Sequence, residues 1–370
     1  MATDGYQSVL TIDLGAVVDN YRRLRRAAEG SEVAGVVKAN GYGLGAVEIA
    51  GALWDESCRI FFVAHLSEAL ELRARLPRAA IYILNGLPPG TEAEIVDARL
   101  IPVLNHPGEL ERYAALASRL ERRPPAALHI DTGMCRLGFG AREVEAIDRA
   151  RLAALDLQLV MSHLACAEER SHPLNGLQRE RFERLRRGLP AARASLANSS
   201  GIFLGPAYQL DLCRPGVALY GVNPTPGQPN PMAPVVTLEA PVLQVHEVAE
   251  PGSVGYGATC ATLPGARIAT VPVGYADGYL RAASNRAKAR IGGREVPVVG
   301  RVSMDLITLD VSALPQGKVR PGAMVELIGG PDGIDELAAA AGTIGYEVLT
   351  RLGSRFRRRY IRPGSTKQTA

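Results

Sequence analysis

Residues 33–45 read VAGVVKANGYGLG, and this stretch sets the interpretation of the chain around it. Its first five residues are small or apolar, which favours a strand buried on both faces. Lys38 follows directly, and the glycines at 41, 43 and 45 predict a turn before an apolar run from Ala46. A lysine at the carboxyl end of a buried strand is partly desolvated, which lowers its pKa and favours nucleophilicity. A surface lysine after an ordinary turn is the alternative.

Short apolar runs recur up to residue 214, with helical patterns between most of them. They are VAGVV (33–37), IFFV (60–63), AIYIL (80–84), LIPV (100–103), ALHI (127–130), LQLVMS (157–162), RASLAN (193–198) and QLDLCR (209–214). Parallel strands need long return connections, so eight such runs joined by helices predict an α/β fold of the (β/α)8 barrel type. A doubly wound sheet is the competing arrangement, but no GxGxxG follows the first strand.

The composition of the sequence and the spacing of its apolar residues change after residue 221. NPTPGQPNPMAP (223–234) is rich in proline and predicts a linker. The segments beyond it alternate with the period of two that is typical of strands. We therefore expect a barrel domain at residues 1–232 and a mostly β domain at 233–370, with residues 1–14 alternatively assigned to the β domain.

Composition excludes several classes of protein. A formal charge of +4 over 370 residues does not indicate nucleic-acid binding, and the basic run RFRRRYIR (355–362) predicts a solvated edge strand. The five cysteines lack a CxxC pair, and the six histidines lack an HxH pattern, which argues against disulfides and a metal site. No leader-like or membrane-spanning segment is evident, so we expect a cytoplasmic protein.

Polar residues follow the apolar runs at their carboxyl ends, where the loops of a barrel converge. They include Lys38, the segment DTGMCRLG (131–138), His163, Asn198, Ser199, Arg214 and Gly216. The hydroxyl of Ser199 and the backbone N–H of Gly216 follow runs seven and eight, where barrels commonly bind phosphate. Each residue alone has a structural explanation, but their shared placement favours an active site.

The opening stretch resembles the cofactor-lysine motif of the alanine racemase family, whose enzymes use pyridoxal 5′-phosphate (PLP). Further segments resemble other motifs of that family, over nearly the whole chain: DTGMCRLGFG, SHLACA, LANSSG, CRPGVALYG, SVGYGATC, VPVGYADGY and GRVSMDLITLD. The resemblance implies a barrel plus a β domain, PLP as cofactor, L- and D-alanine as substrates, and a homodimer with shared active sites.

The resemblance also implies roles for individual residues. Lys38 would carry PLP as a Schiff base, Arg214 would face the pyridine nitrogen, and His163 would bridge towards a second base. Arg136 would reach the phenolic oxygen of PLP and the substrate carboxylate. The other cofactor residues would be Tyr42, Asn198, Ser199, Gly216, Val217 and Tyr346. The partner subunit would supply Tyr256, Tyr275, Met304 and Asp305.

Racemisation needs a base on each face of the planar external aldimine, and Lys38 and Tyr256 suit these two places. A free tyrosine has a pKa of about 10, so positive or donor groups must lower it, and His163 and Arg214 are candidates. Within GYG, Tyr256 is equally consistent with a turn residue.

Arg214 suits the same chemistry. Because arginine only donates hydrogen bonds, Arg214 would leave the ring nitrogen of PLP unprotonated, weaken its electron sink and suppress transamination. A salt-bridged arginine at the barrel rim is the alternative.

One position departs from the family. Many members have a carbamylated lysine two residues before the Asp of DTGM, where this chain has His129. We expect no carbamate here. Arg136 would then be positioned differently, by a bound anion or by neighbouring side chains.

These features predict racemisation of L-alanine to D-alanine, which in bacteria would supply peptidoglycan. A racemase of broader specificity is an alternative. An amino-acid decarboxylase is disfavoured by Arg214, and a non-catalytic single-barrel PLP-binding protein is disfavoured by the β domain and Tyr256. A metal-dependent barrel hydrolase is disfavoured by the dispersed histidines.

Overall fold

The structure, a computed structural model, describes residues 7–120, 122–362 and 364. It divides into two compact units. The barrel unit comprises Val17–Leu219 and Pro224–Met232, and the β unit comprises Met1–Ala16, Tyr220–Asn223 and Ala233–Ala370. The expected domain ends at residues 1 and 370 lie outside the described residues.

The chain begins with strand β1 (Val9–Asp13) and helix α1 (Leu14–Ala27). Helix α1 buries Val17, Tyr21 and Leu24, while Arg22 and Arg26 are exposed. This is the amphipathic pattern that the sequence predicts.

Short, buried parallel strands form the wall of the barrel unit. They are β2 (Glu32–Val33), β3 (Gly35–Val36), β4 (Ile60–Val63), β5 (Ala80–Ile83), β6 (Ile101–Leu104), β7 (Pro125–His129), β8 (Asp156–Met161), β9 (Arg193–Ser195) and β10 (Leu212–Cys213). Strands β3 to β9 pair in sequence order, and β2 pairs with β10. The N–H groups of Asp211 and Arg214 donate to the carbonyl oxygens of Ala194 and Ala197, which joins the β10 segment to the β9 segment. The ring is therefore closed.

Helices occupy most of the connections between these strands. They are α2 (Lys38–Tyr42), α3 (Ala46–Asp55), α4 (Leu66–Arg75), α5 (Glu92–Asp97), α6 (Pro107–Ala117), α7 (Ala141–Glu145), α8 (Arg149–Ala153), α9 (Pro173–Arg186), α10 (Ser199–Ile202) and α11 (Pro206–Gln209). Local sequence explains several starts. Pro173 opens α9, where it needs no N–H partner, and the Asp148 carboxylate accepts from Ala150 N at the start of α8.

The β unit is built from sheets with two helices. Its strands are β11 (Val236–Pro241), β12 (Gln244–Glu247), β13 (Gly252–Val254), β14 (Cys260–Thr262), β15 (Arg267–Val271), β16 (Lys288–Ile291), β17 (Arg294–Pro297), β18 (Ile307–Asp310), β19 (Met324–Ile328) and β20 (Arg357–Ile361). Its helices are α12 (Gly333–Ala341) and α13 (Gly345–Arg351). The largest sheet has the order β17-β16-β19-β11-β1-β20, and a smaller one has the order β12-β15-β18.

The expected fold class, a (β/α)8 barrel followed by a mostly β domain, is confirmed. The run IFFV is a strand over the predicted residues, but the last two runs are shorter than predicted. Asn198, the last residue of the predicted run seven, is the N-cap of α10 and not part of β9. Gln209, the first residue of the predicted run eight, is the last residue of α11. Residues 220–223 belong to the β unit, where Asn223 N donates to the carboxylate of Asp335 at 3.0 Å.

The basic run at 355–362 forms edge strand β20, as predicted, but several of its arginines bond to protein instead of facing only water. Arg359 donates to Thr11 Oγ1, and Arg358 donates to the carbonyl oxygen of Leu352. In the described parts of the chain, no helix has the length and apolar character needed to cross a bilayer.

Candidate active site

The predicted site residues of the barrel unit follow the carboxyl ends of its strands. Lys38 follows β3, Arg136 follows β7 and His163 follows β8, while Asn198, Ser199, Arg214 and Gly216 follow β9 and β10. Arg214, Arg136 and Lys38 all act electrostatically on His163. These groups therefore converge on one region at the end of the barrel where the strands terminate.

The turn that carries Lys38 is left-handed. The φ angles of Ala39, Asn40, Gly41 and Tyr42 are 53°, 52°, 62° and 54°. This conformation costs a non-glycine residue about 1–2 kcal/mol, so surrounding bonds must hold it. Asn40 Oδ1 accepts from Ala46 N at 3.0 Å. Such strain is typical of functional sites.

Lys38 itself is half-buried. Burial and the positive charge of Arg136 lower the pKa of the Lys38 amine, whereas the carboxylate of Glu68 opposes this shift. The lowered pKa increases the fraction of free amine, the form that attacks carbonyl groups and accepts protons. Lys38 is also the only lysine before Lys288, so the barrel unit has a single candidate side chain for amine chemistry.

The residues predicted to bind phosphate form a small, buried cradle. Ser199 Oγ accepts from the N–H groups of Gly216 at 3.0 Å and Ala218 at 3.2 Å. A Cβ atom at Gly216 would collide with the hydroxyl oxygen of Tyr42. Glycine is therefore required there, and two hydroxyls and a backbone N–H meet at one point. Such neutral donors suit an anion.

Two neighbours complete this cradle. Asn198 Oδ1 accepts from Gly201 N at 2.8 Å and so starts α10 directly before Ser199. Val217 is buried and begins a 3-10 helix that ends at Tyr220. Asn198 thus caps the short helix in which Ser199 lies, and Val217 is the buried residue directly after Gly216.

Arg214 is a buried cation on the adjacent strand end. It donates to Ser195 Oγ, and its Nη2 donates to the carbonyl oxygen of Ser162 at 2.5 Å. Burial lowers the pKa of Arg214 to about 10, so the guanidinium stays charged at neutral pH. No carboxylate is among these partners, and the alternative of a salt-bridged rim arginine is therefore not what the structure shows.

His163 carries no positive charge near neutral pH. Burial lowers its pKa far below the usual value, and the charges of Arg214 and Arg136 lower it further. Of the two ways in which a neighbour could lower the pKa of a tyrosine, by positive charge or by donating a hydrogen bond, only the second is therefore open to His163. As a neutral imidazole it can still donate one hydrogen bond, and Arg214 remains as the nearby cation.

His129 is neutral as well, and its orientation is fixed. Its Nδ1 lies 2.8 Å from Asn105 Oδ1, and the Asn105 amide donates to the carbonyl oxygens of Leu84 and Val103. The amide oxygen therefore faces His129, whose Nδ1 must carry the proton. Burial and the charge of Arg214 lower the pKa of His129 to about 4.

Arg136 lies in an exposed loop that is organised by Asp131. The Asp131 carboxylate accepts from the successive N–H groups of Gly133, Met134 and Cys135 at 2.9–3.2 Å. These bonds fix the backbone of the loop that precedes Arg136. Three N–H groups on one carboxylate form a rigid support for the following arginine.

Three predicted substrate residues lie together in the β unit. Tyr275 N donates to the carbonyl oxygen of Ser303, and Met304 and Asp305 follow in the same loop. Arg355 joins the two segments, because it bonds Asp277 at 2.6 Å and Asp305 at 2.8 Å.

Tyr256 belongs to a neighbouring turn of the β unit. A Cβ atom at Gly257 would lie 3.1 Å from Arg301 Cζ, which places the turn against the start of the Met304 loop. Tyr256 is 72% exposed, and Met304 is 54% exposed. Exposed large side chains that lie close together often mark an interaction surface. Tyr346 is the second residue of α13 and is likewise in the β unit.

Sequence reasoning missed Glu68, Asn105 and Arg355. Asn105 follows β6, and its position at a strand end was the available signal. Glu68 stands three residues after His65 at a helix start, a spacing that indicates a capping residue. Within the described ranges, no three His, Cys, Asp or Glu side chains are placed to hold a metal ion.

Two family models match the chain. Residues 12–224 match "Alanine racemase, N-terminal domain", and residues 235–360 match "Alanine racemase, C-terminal domain".

Curated relatives match over almost their full length. An alanine racemase of Rhodospirillum rubrum is 52% identical over 98% of this chain and 98% of its own. A protein of Mesorhizobium japonicum named "Alanine racemase, catabolic" is 52% identical over 96% of this chain and 93% of its own.

Solved structures agree with these matches. The alanine racemase of Bartonella henselae, solved with covalently bound pyridoxal phosphate, has a TM-score of 0.92 at 40% identity and covers 96% of this chain and 99% of its own. The biosynthetic alanine racemase of Pseudomonas aeruginosa has a TM-score of 0.90 at 39% identity, with the same coverage of both chains.

Proposed function

The chain belongs to the alanine racemase family, and from this membership we propose that it interconverts L- and D-alanine with PLP held on Lys38. The observation that carries the proposal is the pairing of two features in one unit. A lysine of lowered pKa and a glycine-lined anion cradle both stand at the carboxyl ends of the barrel strands.

The residues present fit PLP. Tyr42 and Ser199 bring two hydroxyls to the backbone N–H of Gly216, which donates to Ser199 Oγ, and a Cβ at Gly216 would exclude the Tyr42 hydroxyl from this point. These groups would bind the phosphate of PLP. Asn198 and Val217 support that cradle, and we assign Tyr346 to the same phosphate. Bound PLP supplies an electron-withdrawing ring that makes the α-proton of the amino acid acidic.

The side chains of this chain then divide the proton chemistry between them. Lys38 accepts or returns a proton on one face of the substrate carbon, and Tyr256 does so on the other. Arg136 binds the substrate carboxylate, and neutral His163 donates a hydrogen bond towards the Tyr256 oxygen. Arg214 would face the ring nitrogen of PLP, and its positive charge favours the phenolate of Tyr256. The substrate site is enclosed by Tyr275, Met304 and Asp305.

We assign Tyr256 and the Met304 loop to the site of a second copy of the chain, in a homodimer. Tyr256, Tyr275 and Met304 are 72%, 42% and 54% exposed. A partner surface would remove these large side chains from water and would bring the phenol to the partner's substrate.

The cellular role follows from the reaction. We propose that the enzyme is cytoplasmic and supplies D-alanine for peptidoglycan. All five cysteines are unpaired, which supports a reducing compartment. Two relatives are named "catabolic", which supports a catabolic role as the alternative. Growth of a D-alanine-requiring bacterium that expresses the chain would support the biosynthetic use.

The direct test is borohydride reduction of the purified holoenzyme followed by peptide mapping. We expect the phosphopyridoxyl group on Lys38, in the peptide around residues 33–45, and none on Lys288 or Lys318. In parallel, L-alanine in D2O should yield D-alanine with deuterium at Cα. Label at another lysine, or no exchange at Cα, would contradict the proposal.

Arg214→Glu should slow racemisation at least about tenfold and raise the fraction of turnovers that end in transamination. A carboxylate would stabilise the protonated form of the ring nitrogen, which would take its proton from solvent, and would strengthen the electron sink. The measurement is the number of racemisations per aminated cofactor formed. Since a buried carboxylate also loses the bonds to Ser195 and Ser162, Arg214→Gln serves as the uncharged control. An unchanged ratio in Arg214→Glu would refute this role.

A further inference from the structure

Glu68 connects the lysine turn to the neighbouring helix. Its Oε1 accepts from Ala39 N at 2.6 Å, and its Oε2 accepts from Ala64 N at 2.7 Å and from His65 N at 3.1 Å. One half-buried carboxylate therefore accepts three backbone N–H bonds. Two come from the start of α4, and the third comes from the residue directly after Lys38.

The Ala39 bond falls where the backbone is strained. Ala39 is the first of five consecutive residues with positive φ, and only two of the five are glycines. A charge-assisted bond to its N–H is stronger than a neutral one. It fixes the peptide from which the Lys38 side chain departs.

Glu68 also acts on the lysine through its charge. The charges that act on Lys38 are those of Arg136 and Glu68, and Lys38 in turn acts on His163. Arg136 favours the free amine, Glu68 favours the ammonium, and neutral His163 carries no net charge. Glu68 is thus the one carboxylate among the groups found to act on Lys38 within the described residues.

We propose that Glu68 is a positioning residue of this active site. Its carboxylate holds the left-handed turn that aims Lys38 and balances the charge of Arg136 at the lysine amine. This inference rests on the proposed role of Lys38 as the cofactor lysine and base.

The test compares Glu68→Gln, Glu68→Ala and the control Glu71→Gln. Glutamine keeps one acceptor oxygen but removes the charge, alanine removes both, and Glu71 is an exposed carboxylate on the same helix. A lower amine pKa lets Lys38 act as a base in more acidic solution. Both Glu68 variants should therefore show the acidic limb of the kcat profile at lower pH than wild type.

The pH at which the yellow absorbance of the holoenzyme changes should fall in the same direction, and this readout does not depend on turnover. Glu68→Ala should in addition lose about tenfold in kcat, the scale of one charge-assisted hydrogen bond, with the KM for alanine changed less than twofold. Glu71→Gln should match wild type in each measurement.

An acidic limb of the kcat profile that stays at the wild-type pH, or that moves to higher pH, would overturn the inference. If Glu68→Ala does not fold, Glu68→Gln still decides the matter. Failure of the proposed function would be visible separately, because borohydride label would then be missing from Lys38 in the wild-type protein.

Discussion

Replacement of Lys38 by alanine should abolish the yellow colour of the purified protein together with its activity. Lys38 is the only lysine of the barrel unit, and its pKa is lowered by burial and by Arg136. Loss of both the covalent attachment and one base should cost at least about 10³-fold in kcat. The measurements are absorbance spectra of the protein after incubation with PLP, and racemisation rates with L-alanine.

Lys288→Ala is the matched control. Lys288 is an exposed lysine of the β unit that pairs with Glu295 at 2.9 Å, so its loss should leave colour and activity unchanged. The cradle of Tyr42, Ser199 and Gly216 remains in Lys38→Ala, so PLP should still bind reversibly. A yellow, fully active Lys38→Ala protein would exclude this lysine as the point of attachment.

The fold could be predicted because its signals are local. A buried strand such as IFFV has apolar residues on both faces, and a linker of five prolines in twelve residues excludes a helix or central strand. The ends of β9 and β10 were less predictable. Asn198 and Gln209 are compatible with a strand, and only the helices that they cap or end assign them elsewhere.

The site was predictable where position along the chain implies position in space. Lys38, Ser199 and Arg214 follow the carboxyl ends of β3, β9 and β10. The parallel strands of a barrel all end on the same side, so these residues lie on that side. The supports of these residues come from distant segments. Glu68 meets Ala39 across 29 residues, and Arg355 meets Asp277 across 78. Only tertiary structure reveals such pairs, and the neutral state of His163 follows from burial that its sequence does not encode locally.

Tyr256→Phe should lower net racemisation at least about 10²-fold, the scale of one general acid–base group. Comparison of the net rates from the two enantiomers cannot identify the face that Tyr256 serves. The equilibrium constant between enantiomers is one, so kcat/KM must stay equal in both directions for any variant. Hydrogen exchange with solvent has no such constraint.

In D2O, therefore, Tyr256→Phe should still place deuterium into one recovered enantiomer, the one whose α-proton faces Lys38. The other enantiomer should be recovered without deuterium. Wild-type enzyme, by contrast, should label both. Equal residual exchange into both enantiomers would exclude Tyr256 as a base. A loss of net rate of less than about threefold would exclude it as well, because one general acid–base group contributes about 10²-fold or more.

The same variant decides which subunit supplies the phenol. Lys38→Ala and Tyr256→Phe dimers are each inactive in the proposed scheme, and random exchange of subunits makes half of the dimers mixed. If Tyr256 serves the partner's site, a mixed dimer contains one site with both wild-type residues and one site with neither. Activity should then rise to about one quarter of wild type, the statistical value for closed two-fold dimers. If Tyr256 serves its own subunit, every site in the mixture lacks one base and no activity returns. The exposed position of Tyr256, at 72%, leads us to expect recovery.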